Sequence, residues 1–173
     1  RNGSADGEYA VERSNVCASS LAMHIFNPGP FLEKVHMIAY VHGFNSSPES
    51  NTFGMLRKFF PDAHALDYPS SGLFSENLAR LQKQAREIND ASSPFVLVGA
   101  SLGGFYASQL SALLLCNCVL INPVVRPAQS LRQFLGPNTT FYGGQHWEFT
   151  RETCDSYSFF ADARSAPVKR MVV

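Results

Sequence analysis

The stretch from Pro94 to Gly104, P-F-V-L-V-G-A-S-L-G-G, constrains this chain more than any other. Phe95 to Val98 is an unbroken apolar run of β-favouring residues, which predicts a strand buried on both faces of a parallel sheet. Gly99, Ala100, Ser101, Leu102 and Gly103 then spell G-x-S-x-G, the pattern of a sharp strand-to-helix turn with a serine at its strained apex. The glycines on either side of the serine are steric requirements. A Cβ at Gly99 or Gly103 would crowd the neighbouring strand or the starting helix. Phe105 to Leu115 is almost wholly apolar and lacks proline and glycine, so it predicts a buried helix. The free N–H groups and positive dipole end of that helix would face an oxyanion forming at Ser101. Set between such a strand and such a helix, the motif marks Ser101 as a candidate nucleophile. The plainer alternative is a glycine-rich turn with an incidental serine.

The rest of the composition narrows the class. A chain of 173 residues, 45% hydrophobic, can bury one core. Its 14 basic and 14 acidic residues form no basic run, which argues against nucleic acid or an anionic membrane as partner. No apolar stretch approaches the ~20 residues of a membrane span. Cys17, Cys116, Cys118 and Cys154 form no C-x-x-C pair; Cys116 and Cys118, flanking Asn117 at the start of an apolar strand, are expected as buried free thiols rather than metal ligands, which suits a cytoplasmic protein.

Residues 1–36 read as an atypical N-terminal extension, polar and linker-like to Glu8, with an apolar segment Val16 to Phe26 broken off by Pro28-Gly29-Pro30. From Met37 onward, strands and helices alternate. Strands are expected at Met37 to His42, Ala63 to Tyr68, Phe95 to Val98, Cys118 to Asn122 and Val168 to Val173. Helices are expected after Ser47-Pro48, with Ser47 as cap and Phe53, Leu56 and Phe60 on one face, and after Ser75 as cap. Further helices are expected over Pro127 to Leu135 and over Ser156 to Ala163. The turn-rich, aromatic stretch 136–151 reads as a lid. This alternation predicts an α/β fold, a doubly wound parallel sheet whose ligands sit at the carboxyl ends of its strands.

Three linked segments carry a family likeness. Tyr40-Val-His-Gly-Phe-Asn-Ser-Ser-Pro48, Val98-Gly-Ala-Ser-Leu-Gly-Gly-Phe-Tyr106 and Ile121-Asn-Pro-Val-Val-Arg-Pro127 resemble, in order and spacing, the small α/β-hydrolase esterases of the YqiA type. The likeness covers roughly residues 37–173. It implies carboxylic-ester hydrolysis by a Ser-His-Asp triad. In that family a loop after the last matched strand carries the acid, and a further strand delivers the histidine. The sequence stops at Val173, before both positions, so it reads as an α/β-hydrolase core lacking its C-terminal strand and helix.

A serine needs a base to act at neutral pH. His36 and His64 fall at the amino ends of strands, the wrong edge, and His24 cannot be placed. His146 follows the elbow in sequence and sits in the aromatic lid, so it is the first candidate base. His42, beside the loop that would hold the oxyanion, is the second, with a structural hydrogen bond as its alternative role. Asp67, Asp155 and Asp162 are the acids weighed, none with a spacing argument. The backbone N–H groups of Phe44 and Leu102 are the expected oxyanion hole. Arg126 is a candidate substrate contact or an exposed salt bridge. No Walker loop, G-x-G-x-x-G or H-E-x-x-H is present, so no cofactor or metal is expected. The resulting expectation is a serine esterase for short-chain, small-molecule carboxylic esters. A thioesterase and a catalytically silent binding module are the alternatives. The edge left at residues 168–173 predicts a homodimer.

Overall fold

The computed structural model describes residues 37–88, 95–158 and 170–172. Its main sheet contains β1 (Met37–Val41), β2 (His64–Leu66), β3 (Phe95–Ala100), β4 (Asn117–Ile121) and β7 (Arg170–Val172). The strands run parallel in the order β2-β1-β3-β4-β7. Alternate residues of the strands enter two separate cores. Ala39, Val41, Leu97, Cys118 and Leu120 pack on one face, and Ile38, Tyr40, Val96, Val98, Val119 and Ile121 on the other. Strands buried on both faces need unbroken apolar runs, which is how β1, β3 and β4 could be read from sequence. The chain has an α/β fold built on a parallel sheet, as expected.

Helix α1 (Asn51–Arg57) covers the second face through Phe53 and Leu56. Helices α2 (Phe74–Ile88) and α3 (Leu102–Leu114) cover the first. The α2 stripe places Leu81 and Ala85 fully inside. The cap of α1 is Ser50, whose side chain accepts the Phe53 N–H, and not the expected Ser47. Ser47 is engaged locally: its hydroxyl accepts the Glu49 N–H and donates to the Glu49 carboxylate. Ser75 does not cap α2 either, because the helix already begins at Phe74, whose N–H is taken by the Ser156 hydroxyl.

The expected helix over Pro127 to Leu135 divides into one α-turn, α4 (Pro127–Ser130), and a 3-10 turn, Leu131–Phe134. The stretch expected as a lid, 136–151, begins with a β-hairpin, β5 (Gly136–Thr139) antiparallel to β6 (His146–Phe149). The last helix, α5 (Arg151–Ser156), starts earlier than expected because Thr150 caps it by accepting the Thr153 N–H. The expected strand end at Val173, most of the Ser156 to Ala163 helix, and residues 1–36 lie outside the described residues.

Pairing sets the carboxyl ends of the central strands level. Leu66 lies opposite Val41, Val41 opposite Gly99, and Ala100 opposite Ile121. The segments that leave β2, β1, β3 and β4 therefore emerge side by side, with Ser101 above the central strand. Among the described residues no helix is long and apolar enough to cross a membrane.

Candidate active site

Ser101 has φ 53° and ψ −120°, a conformation that a residue with a side chain adopts at a cost of about 1–3 kcal/mol. The surroundings hold it there. Its N–H donates to the Ile121 carbonyl (2.9 Å), and its carbonyl accepts from Gly104 (3.0 Å) and Val124 (3.1 Å). A Cβ on Gly99 would strike the Gly103 carbonyl, and one on Gly103 would strike the carbonyls of Val41 and His42. Helix α3 thus starts so close to β1 and β3 that only glycine fits at both places. The serine side chain is exposed and its hydroxyl has no hydrogen-bond partner among the described residues.

The loop after β1 presses on this turn. A Cβ on Gly43 would lie 3.3 Å from the Ser101 Cβ. Phe44 and Leu102 directly follow the two residues in that contact, and neither N–H has a partner among the described residues. Buried or half-buried amides are rarely left unpaired. Two of them beside one exposed hydroxyl can accept a developing negative charge.

His42 is fully buried and turned into the scaffold of this loop. Its Nδ1 lies 2.9 Å from the Gly43 carbonyl and its Nε2 3.4 Å from Asp67 Oδ1. The ring stacks on Tyr68 at 4.5 Å, and the Tyr68 hydroxyl donates to the His42 carbonyl. Both nitrogens are committed, which leaves neither for Ser101. The hydrogen bond from His42 holds the Asp67 carboxyl below its usual range, partial burial opposes this, and the charges of His42 and Arg80 add to it. Arg80 also reaches Asp67 directly, at 3.6 Å.

A scan against family models matches residues 37–172 to one described as an uncharacterised protein family, UPF0227. The chain belongs to the UPF0227 family. Two curated UPF0227 relatives come from Shewanella baltica, 27% identical over 99 residues, and Shewanella loihica, 28% identical over 98. These matches cover 56% and 55% of this chain, and 55% and 54% of the relatives, so the chain spans about half the length of the curated relatives it matches. Among solved structures, Est1E from Butyrivibrio proteoclasticus superposes with a TM-score of 0.57 at 12% identity, covering 81% of this chain and 67% of that one. Its ferulic-acid-bound form gives 0.52 at 13% identity, covering 83% and 70%. At such identities the likeness concerns the fold, and it agrees with the parallel sheet described above.

Within this UPF0227 chain the expected site residues separate into two groups. Ser101, Phe44 and Leu102 lie together at the carboxyl edge. His146 stands exposed on β6, with Nδ1 3.0 Å from the Thr139 hydroxyl opposite it, and no bond joins it to Ser101. Arg126 is exposed, with no ion-pair partner among the described residues, so the salt-bridge alternative finds no support there. It lies two residues after Val124, whose N–H holds the Ser101 carbonyl. Sequence reasoning missed Asn45, which joins this edge to the hairpin. Its one visible signal was an asparagine in a Gly-containing loop, a residue that tolerates positive φ.

Proposed function

We propose that this chain is a serine hydrolase of small carboxylic esters. The Ser101 Oγ attacks the ester carbonyl, forming an acyl-serine and releasing the alcohol with a proton. Water then attacks the acyl-serine, returning Ser101 and releasing the acid. The Phe44 and Leu102 N–H groups hold the oxyanion in both steps. Arg126 faces solvent near the elbow and is assigned to substrate contact. The observation that carries this reading is a strained, solvent-exposed serine in contact with the β1–α1 loop, with the neighbouring Phe44 and Leu102 amides unpaired among the described residues.

Proton transfer needs a base within about 2.6–3.2 Å, or one bridging water. No imidazole is bonded to Ser101 among the described residues. Among the described residues His146 keeps an uncommitted Nε2, and His146→Ala tests it: hydrolysis at the parent rate removes it from the reaction. The same lack of a bonded imidazole favours a second reading, a hydrolase-fold module that binds esters without cleaving them. Hydrolysis of p-nitrophenyl acetate and butyrate by the purified chain separates the two. The esterase reading expects turnover that disappears in Ser101→Ala with the fold intact. Binding without turnover would support the module.

A further inference from the structure

Asn45 gathers four polar contacts beside this site, and it bonds neither Ser101 nor any group assigned above. It is buried, 6% exposed, with φ +61°. All its hydrogen-bonding groups that point away from its own loop are engaged, and three of them reach the hairpin. The side-chain amide donates to the Thr139 carbonyl on β5 at 2.6 Å. Its oxygen accepts the indole N–H of Trp147 on β6 at 2.9 Å. Its backbone carbonyl accepts the Phe141 N–H at the turn, also at 2.9 Å. Its own N–H donates to the Ser70 hydroxyl at 2.7 Å.

The residue before it is Phe44, whose N–H is one of the two unpaired amides. The Phe44 ring is in turn enclosed by Phe134, Trp147 and Phe149, at centroid distances of 5.2, 5.6 and 5.1 Å. The hairpin thus grips the loop just C-terminal to the Gly43–Phe44 peptide that carries the amide: through the Phe44 ring and through the Asn45 side chain. Within the loop, the carbonyl of that peptide is held by His42 Nδ1 and the Ser46 N–H. A donor useful to a transition state must already be oriented before charge develops.

We propose that Asn45 is a positioning residue that, through Thr139 and Trp147, fixes the Phe44 N–H toward Ser101. This rests on the serine-hydrolase reading above. Loss of the latch leaves substrate access unchanged but lets the donor wander, so it lowers the rate of the chemical step and not the affinity that precedes it.

The test uses the whole chain and a fluorophosphonate that phosphonylates the serine, displacing fluoride. The variants are Asn45→Gly, which keeps the positive φ while removing the side chain, Trp147→Phe, which keeps a ring against Phe44 while removing the indole N–H, and the double variant. All are confirmed folded by circular dichroism and assayed far below their urea midpoints. The account expects kinact to fall about tenfold in Asn45→Gly, below the ~10²–10³-fold cost of deleting an oxyanion donor outright. It expects a smaller fall in Trp147→Phe, an unchanged KI, and less than additive losses in the double variant. If Asn45→Gly does not fold, Trp147→Phe decides alone. Folded variants with the parent kinact, or losses confined to KI, overturn the latch and leave the hydrolase reading standing. A folded parent that takes no label overturns both.

Discussion

The elbow at Ser101 and the β5–β6 hairpin meet at the same edge of the sheet, and they are held there by different physics. The elbow is fixed by exclusion. Gly99 and Gly103 are where they are because the carbonyls of Gly103, Val41 and His42 leave no room for a Cβ. The hairpin is fixed by attachment. Gly143 and Gly144 at its turn have open space around them and are there for their positive φ, 84° and 62°. Asn45, Tyr142 and Trp147 then bond the hairpin to the β1–α1 loop and to α1. Packing constraints of the first kind tolerate no substitution, whereas a set of hydrogen bonds gives way one bond at a time.

The largest break should come at the elbow. Gly103→Ala forces backbone apart in a fully packed region, and a loss of about 3 kcal/mol, at the upper end of overpacking costs, is expected in urea unfolding. Gly143→Ala at the hairpin turn meets no atom and should cost only the left-handed backbone term, about 1–2 kcal/mol. If the two losses were equal, the distinction between exclusion and attachment would fail. Trp147→Phe removes one hydrogen bond of the attachment and should cost about 1 kcal/mol, read from the same urea midpoints.

The smallest effect sharpens the comparison on the other side of the elbow, at His42 and Asp67. The carboxyl of Asp67 is held low by the His42 hydrogen bond first, with burial opposing. A carboxyl lowered in the folded state stabilises the fold above its unfolded pKa of about 3.9, and that stability is lost as pH falls through the folded value. Asp67 is 49% exposed, so solvent screening reduces the contribution to about 0.5 kcal/mol or less. Asp67→Asn should flatten the stability profile below about pH 4 and leave it parallel to the parent above. An Asp67→Asn profile that keeps the parent's full slope below about pH 4 would contradict that assignment.

The difference between the regions also explains what was legible in the sequence. Exclusion leaves a local mark: apolar runs at 37–41, 95–98 and 118–121, and glycines at set distances from a serine, can each be read without knowing what they pack against. Attachment does not. Gly136-Pro-Asn-Thr139 has no strand-like pattern, and it pairs because His146–Phe149 lies opposite and Asn45, 94 residues before Thr139, donates to the Thr139 carbonyl. The expected caps Ser47 and Ser75 fail for the same reason. Ser47 had a nearer partner in Glu49, and the α2 N–H was satisfied by Ser156, 82 residues away. Asp67 was visible as an acid at the correct edge, but its pairing with His42 depends on the β1–β2 register.

The central claim is that the steric elbow presents Ser101 as a nucleophile beside the Phe44 and Leu102 amides. Mass spectrometry of the chain after incubation with a fluorophosphonate tests it most directly. The account predicts a single phosphonyl adduct, mapped to Ser101, absent from Ser101→Ala and absent after urea unfolding. An adduct on another residue, or a folded chain that hydrolyses p-nitrophenyl esters while Ser101 stays unmodified, would contradict it.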